Sequence, residues 1–458
     1  LPTEASDSRR FTVDYSASRI SICSQRNSMA IWKGKQEPKL NASRSQMKAS
    51  VIRFAPLIWL SGTTPAAYQV LSAWPLLFGS GRIRGLSRIQ LILIIYCVVY
   101  GISIAVAALG GAEIVRVVAA TYNLSIWVLG AIVFSTTGNE DTDKVRKASR
   151  LLLVILAATS VVSYVLFSGA GSVRFNSLIG YLISSEKLPE NLAANTNLYI
   201  TSSDWSTLGL GSRLSVMAPY PTALGMLALV LIGLASPARW DRRNLVRFLP
   251  YLAIGLLLSY LCASRAAMGS MLLYICAFAG FYVARSSRSS DFKVFLVTTS
   301  VFIALLGALV LGDQAASAWN TVNATRADSS SLRFELYSLS VRSALESHPI
   351  LGFGVKERIS TYAIPLGSHS TLFGAVYKTG IIGFLTVAAF FLYTGFCAIR
   401  TGFGGSSLYR AGVAAGCLAM LPLLFFEDID AIPLVAYLFF FSLAIMERPG
   451  LPRDDRVE

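Results

Sequence analysis

The chain has 458 residues, of which 54% are hydrophobic and 14% charged, with a formal net charge of +15. Soluble globular domains carry about a quarter charged residues, so this composition excludes the two soluble domains that length alone would suggest. Apolar runs recurring along most of the chain, with a mean hydropathy of +0.57, define an all-α polytopic integral membrane protein. Helices of about 20 apolar residues are the expected spans, because a backbone in lipid must pair its amides internally. The basic residues fall in short clusters between apolar runs, the distribution of cytoplasmic loops, so no nucleic-acid partner is expected.

Residues 1–50 are polar and basic and lack an apolar core of the length a signal peptide needs, so disorder is expected there. Met47 opens MKASVIRFAPLIWL, which resembles the natural start of an inner-membrane protein, and residues before it are read as an over-extended start. Residues 51–78 are apolar but interrupted by Gly62, Pro65 and Pro75, giving either one kinked helix or two short ones. Clean spans follow at about 89–109, 114–136, 151–167, 214–235, 246–263, 266–284, 294–311, 372–399, 412–426 and 431–446. Arginines and lysines cluster in every second loop, including Arg82, Arg84 and Arg88, then Lys144 to Arg150, Arg239 to Arg247 and Arg285 to Lys293. That alternation predicts ten crossings with an intracellular C-terminus. With a cytoplasmic N-terminus, residues 51–78 must cross twice, giving about 12 transmembrane helices, two of them short.

The expected domains are therefore a basic N-terminal segment (1–50), an N-terminal bundle (51–312), a large periplasmic loop (313–371), C-terminal transmembrane helices (372–447) and a cytoplasmic tail (448–458). Two sizeable loops, 168–212 and 312–370, fall on the extracytoplasmic side, where loops of this length carry function. Within the second, residues 331–346 have helical spacing, with Leu332, Leu336, Leu339 and Ala344 towards one side, and Pro349 and Gly352 end the run. A periplasmic helix lying on the membrane surface is expected. Six cysteines without a CxxC, four of them inside apolar runs, read as small buried hydrophobes.

Ionisable residues inside or at the edge of spans are the functional candidates. Arg213 begins one span and Arg265 sits in the turn SYLCASRAAMGS between two others, both on the extracytoplasmic face. A guanidinium there can merely anchor a helix end, but two on one face suit a diphosphate, whose oxygens they hold in a bidentate fork. Lys378 lies nine residues past His369, roughly 13 Å deeper along a helix, as either a further anion contact or a structural pair with an acid such as Glu427. Of the two histidines, His369 stands at the mouth of a long apolar run. It is read either as a helix-start hydrogen bond or as a base able to exchange protons near pH 7.

The run His369-Ser370, nine residues, then Gly380-Ile381-Ile382-Gly383 resembles the His-[Asn/Ser/Gln]-x9-Gly-x-x-Gly pattern of bacterial O-antigen ligases. Upstream, Arg333-x3-Tyr337 and His348-Pro349-Ile350-Leu351-Gly352-Phe353-Gly354 are similar to the Arg-x3-aromatic and Pro-Leu-x-Gly-x-Gly stretches of the wider O-antigen ligase and polymerase superfamily. Arg213-Leu214 before Pro221, and Ser264-Arg265 before small residues, match two further positions; Lys378 departs from the pattern, standing where many relatives carry an acidic or neutral residue.

The resemblance implies a metal-independent, inverting glycosyltransferase of the bacterial inner membrane. It would take a glycan from undecaprenyl pyrophosphate on the periplasmic face and pass it to an acceptor hydroxyl, of the lipid A core for a ligase or of another lipid-linked glycan for a polymerase. In that scheme Arg213 and Arg265 stabilise the pyrophosphate leaving group, His369 accepts the hydroxyl proton, and Arg333, Arg342, Ser370 and Lys378 are substrate contacts. Two rivals remain open. Glu427, Asp428 and Asp430 form an acidic turn that would suit a hard cation, unless they serve as partners for arginine and lysine. A transporter would also be polytopic, but it would more often show internal repeats with polar groups near mid-bilayer.

Overall fold

A computed structural model describes residues 48–78, 86–137, 141–167, 172–183, 197–202, 213–239, 241–286, 327–357, 365–404 and 407–447. It is mostly helical. The segment 51–78 forms two short helices, α1 (48–61) and α2 (Thr64–Phe78), parted at Gly62, whose φ of +77° only a glycine adopts readily. Then come α3 (Arg88–Leu109), α4 (Ile114–Thr136), α5 (Thr142–Phe167), the short α6 (Leu178–Leu182), α7 (Pro221–Ala235), α8 (Arg242–Leu261) and α9 (Arg265–Ser286). The chain closes with α10 (Ala327–Ser347), α11 (Thr371–Gly404), α12 (Leu408–Phe426) and α13 (Pro433–Glu447).

Among the described residues, seven helices are long and apolar enough to cross a membrane: α3, α4, α5, α8, α9, α11 and α12. Two shorter apolar helices, α7 and α13, lie at the buried centre with α12. Every residue of α7 is buried, and so is all of α13 except Glu447. Small residues let these axes approach closely: Gly233 of α7 meets the backbone of Gly416 on α12, where an added Cβ would stand 3.4 Å from its Cα. Around this centre α3, α4, α5, α8, α9 and α11 turn large apolar side chains outward, among them Val98, Val115, Val165, Leu249, Leu272 and Leu392. In water such a surface would be a liability; against acyl chains it is the expected solvent-facing side.

The helical polytopic class expected from the sequence holds, with one small addition: residues 173–176 (β1), 197–202 (β2) and 213–214 (β3) form a three-stranded antiparallel sheet in the order β1-β2-β3, and three further expectations need correction. Strands of two to six residues are too short to print a period-two pattern. The span expected from Leu214 begins at Pro221 instead, because Arg213 pairs with Ser202 in the sheet and a proline at the first helical position sets the start. The cluster Lys144, Arg146, Lys147 and Arg150 is part of α5, where Asp143 answers Arg146 and Lys147 as ion pairs three and four residues on. Cys276 is exposed on α9, not buried. The span expected at 294–311, the termini and most of the 313–371 loop's first part lie outside the described residues.

One break in α11 controls the rest. Gly380 has φ +63° and ψ −160°, which interrupts the helix and frees backbone groups on both sides. The freed carbonyls of Tyr377 and Lys378 accept from the Phe353 and Gly354 amides, each at 2.9 Å, and the Ile381 amide donates to the Pro349 carbonyl at 2.8 Å. The segment 349–354 therefore plugs a gap cut by Gly380 and pairs these freed groups where lipid would offer no partner. Gly352 and Gly354, both at positive φ, allow the approach: a Cβ on Gly352 would stand 2.5 Å from the Tyr377 carbonyl oxygen.

A Cβ at position 380 would overlap the Ile350 carbonyl, so Gly380→Ala should destabilise the detergent-purified protein by about 2–4 kcal/mol. Gly269→Ala, which meets nothing within 4 Å inside α9, should stay within about 1 kcal/mol of wild type. Thermal denaturation followed in parallel checks the contrast.

Candidate functional site

Helix α10 docks one face on the segment leading into α11. Leu336, Tyr337, Ser340 and Ala344 are buried, whereas Phe334, Arg342 and Leu345 face outward. The Ser340 hydroxyl accepts from the Gly367 amide at 2.9 Å and donates to the Leu336 carbonyl at 2.6 Å. Tyr337 stacks on Phe373 at a centroid distance of 5.0 Å and donates its hydroxyl to the His369 carbonyl at 2.6 Å.

His369 adopts φ +61°, a left-handed conformation uncommon outside glycine. It does not cap α11. That task falls to the fully buried Ser370, whose hydroxyl accepts from the Phe373 amide at 3.1 Å. Thr371 anchors the helix start further: its amide and hydroxyl both donate to the Glu427 carbonyl, at 3.1 and 2.7 Å. The half-buried imidazole has no hydrogen-bond partner among the described residues. Burial, with the nearby charges of Arg333 and Lys356, pushes its pKa down to about 3, so it is neutral at pH 7 and only weakly basic in the free protein.

Beneath it lies a cluster of three cations and three carboxylates. Arg333 reaches the Glu427 carboxylate with both terminal nitrogens at 3.3 Å, and donates to the Phe426 carbonyl. Lys356 pairs with Asp428 at 2.6 Å. Lys378, 1% exposed, contacts Asp428 at 3.3 Å and Asp430 at 2.6 Å, so its partners are these two acids and not Glu427. Formal charge cancels across the six groups. Burial raises the Glu427 carboxyl against the pull of Arg333, while Lys356 and Lys378 outweigh burial at Asp428 and hold it below the usual range. Burial and the adjacent Asp428 raise Asp430. The acidic turn thus provides partners for arginine and lysine, the second of its two sequence readings.

Arg213, on β3, is half-buried and donates to the Cys262 carbonyl at 3.2 Å, three residues before Arg265 at the start of α9. Its charge reaches Glu427, so β3 and the acidic turn share one field. Arg265 is likewise half-buried. Arg342 is not drawn in: it is 75% exposed and bonded to Glu346 on the outer face of α10. Lys356 escaped the sequence reading because it sits in a loop outside any motif or apolar run; its place in the cluster comes from the fold alone.

Backbone strain marks the same places. Among the described residues, three non-glycine residues have positive φ: Met217 at 59°, Ala263 at 48° and His369 at 61°. Each lies in or beside the turn that carries Arg213, Arg265 or the imidazole. Such conformations cost about 1–3 kcal/mol each and concentrate at functional sites.

These features define a multi-pass membrane protein with a strained, charge-balanced polar site at one end of its broken helix. Residues 250–388 match the family described as O-antigen ligase. The match supports the O-antigen ligase and polymerase superfamily and, with it, an enzyme of membrane glycosyltransferase type acting on lipid-linked glycan and acceptor substrates. It contains Arg265, Arg333, Arg342, His369, Ser370 and Lys378, whereas Arg213 and the 427–430 turn lie outside it. No curated protein sequence matches the chain.

Removing one partner of a buried pair leaves an uncompensated charge, so Lys378→Met and Asp430→Leu should each destabilise by about 3–5 kcal/mol. The double variant should lose clearly less than the sum, because both charges leave together. Thermal or chemical denaturation of the four proteins in one detergent gives the coupling.

Proposed function

We propose that the chain transfers a glycan from undecaprenyl pyrophosphate to an acceptor hydroxyl at the periplasmic face of the bacterial inner membrane, with the lipid A core as acceptor. The observation that carries this reading is His369: a neutral imidazole without a hydrogen-bond partner among the described residues, in a strained turn beside cations. As a base it takes the proton of the attacking hydroxyl. Arg213 and Arg265 hold the diphosphate and stabilise the charge that grows on it as the anomeric bond breaks. A single displacement inverts the anomeric carbon, and no covalent intermediate or metal ion is invoked.

The two ion-paired cations near His369 constrain the chemistry. In the free protein they and burial keep the imidazole weakly basic. A bound diphosphate brings negative charge that offsets them and makes the imidazole a stronger base when a substrate is present. The base must be neutral to act, so activity falls as pH drops through its pKa. The acid limb of kcat/KM, which reports the free enzyme, should therefore lie well below pH 6, and the limb of kcat should lie at higher pH. Coincident limbs in a pH series with purified enzyme and lipid-linked donor would contradict the charge compensation.

Substitutions test the roles directly. With saturating donor, His369→Gln should lose roughly 10²–10⁴-fold in turnover, because Gln keeps hydrogen bonding but takes up no proton near pH 7. His348→Ala, which removes an exposed ring packed edge-on to Phe353 at 4.7 Å, should cost far less. Arg213→Ala and Arg265→Ala should nearly abolish transfer, with little rescue by Lys, which cannot form the bidentate fork. A His369→Gln enzyme above about a tenth of wild-type turnover excludes the base role. The acceptor is read from a deletion in the native host. Loss of long chains from lipopolysaccharide with accumulation of lipid-linked polymer means ligase; a single repeat on the core means polymerase.

A further inference from the structure

Tyr337 has a place in the site that the transfer scheme does not use. Its ring is buried against Phe373, and its hydroxyl is committed to the His369 carbonyl. One turn earlier on the same face of α10, the Arg333 guanidinium lies against the phenol and is itself held by the Glu427 carboxylate. Glu427 also accepts, through its main-chain carbonyl, both bonds from Thr371, two residues after His369. His369 is thus held at its own carbonyl and two residues further on, and both holds lead to Glu427. A non-glycine residue at φ +61° depends on such contacts, because released from them it would relax to an ordinary conformation.

We propose that Tyr337, oriented by the Arg333–Glu427 pair, is a positioning residue for His369: its hydrogen bond to the main-chain carbonyl fixes the left-handed turn that keeps the imidazole clear of the α11 helix end. The inference rests on the reading of His369 as the base, and it gives Arg333 a supporting task inside the protein. Displacing Arg333 onto a substrate would leave Glu427, 2% exposed, without its countercharge. Among the described residues, the charged groups that bear on the imidazole are Arg333 from α10 and Lys356 from the loop after it, while Tyr337 holds the His369 main-chain carbonyl. Glu427 and Asp428 hold the two cations from the opposite turn.

The chain contains two histidines, so histidine-labelled full-length protein in detergent gives two imidazole resonances by NMR, assigned by His348→Gln. In Tyr337→Phe the ring and its stacking stay and the bond to the carbonyl is lost. The titration midpoint of His369 should move up by about one pH unit towards its ordinary value as the turn relaxes. Turnover should fall about tenfold, with the donor KM within about twofold, since the diphosphate contacts are untouched. Glu427→Gln, which keeps the main-chain bonds to Thr371 and weakens the hold on Arg333, should lower turnover by less; its lost carboxylate charge leaves Arg333 uncompensated and keeps the His369 midpoint low, so turnover is the readout for this variant. An unchanged midpoint in Tyr337→Phe overturns the positioning role. A moved midpoint with wild-type turnover supports it and instead removes His369 from the chemistry.

Discussion

Everything in the site depends on how the chain handles an interrupted helix next to lipid. A break such as that at Gly380 leaves carbonyls and an amide without partners, and in a hydrocarbon environment each unpaired group costs several kcal/mol. The loop 349–354 supplies the missing partners, so α10, the loop and α11 form one interlocked unit whose geometry cannot drift piece by piece. His369 and Tyr337 belong to that unit. Their 2.6 Å contact joins α10 to the start of α11, the same two helices that the 349–354 loop bridges at the break.

Charge balance is the second constraint. Six ionised groups in and around one turn would be prohibitive unpaired, yet they draw from four segments: α10, the following loop, α11 and the 427–430 turn. Pairing among them ties these segments together, and it leaves the cluster with no formal excess of either sign. The imidazole still feels burial and the charges of Arg333 and Lys356, because burial limits screening of those charges. A neutral cluster can therefore act locally as a cationic edge.

Much of this was legible in the sequence. Apolar runs in a chain so poor in charge define the membrane class, and Gly62 with Pro65 marks the division of α1 from α2. Leucine spacing in 331–346 forecasts the docked face of α10, with Leu336 and Ala344 buried. What stayed hidden was hidden for physical reasons. The sheet strands are stabilised by pairing with segments tens of residues away, so no local pattern announces them. Lys378 reads equally as an anion contact or a structural pair until the fold brings Asp428 and Asp430 to it from 50 and 52 residues away. The left-handed turns at Met217 and Ala263 carry no glycine or asparagine to signal them.

Arg333 shows why burial has to be weighed before a basic residue is assigned to a substrate. Its position in an Arg-x3-aromatic stretch invites a diphosphate contact, and it is 34% exposed, so a ligand can reach it. The carboxylate that holds it is almost wholly buried, however, and removing one member of such a pair costs about 3–5 kcal/mol, more than the roughly 1.5–3 kcal/mol a charged hydrogen bond to phosphate returns. A donor that pulled Arg333 away from Glu427 would gain little, and it would loosen Tyr337 and the turn at His369 in the same motion. A contact that keeps the Glu427 pair intact can use only the part of the guanidinium not already committed. Arg333 is better suited to supply fixed charge beside the reacting hydroxyl than to follow the phosphate. On that reasoning the proposed diphosphate contacts fall to Arg213 and Arg265, in or beside the strained turns at Met217 and Ala263.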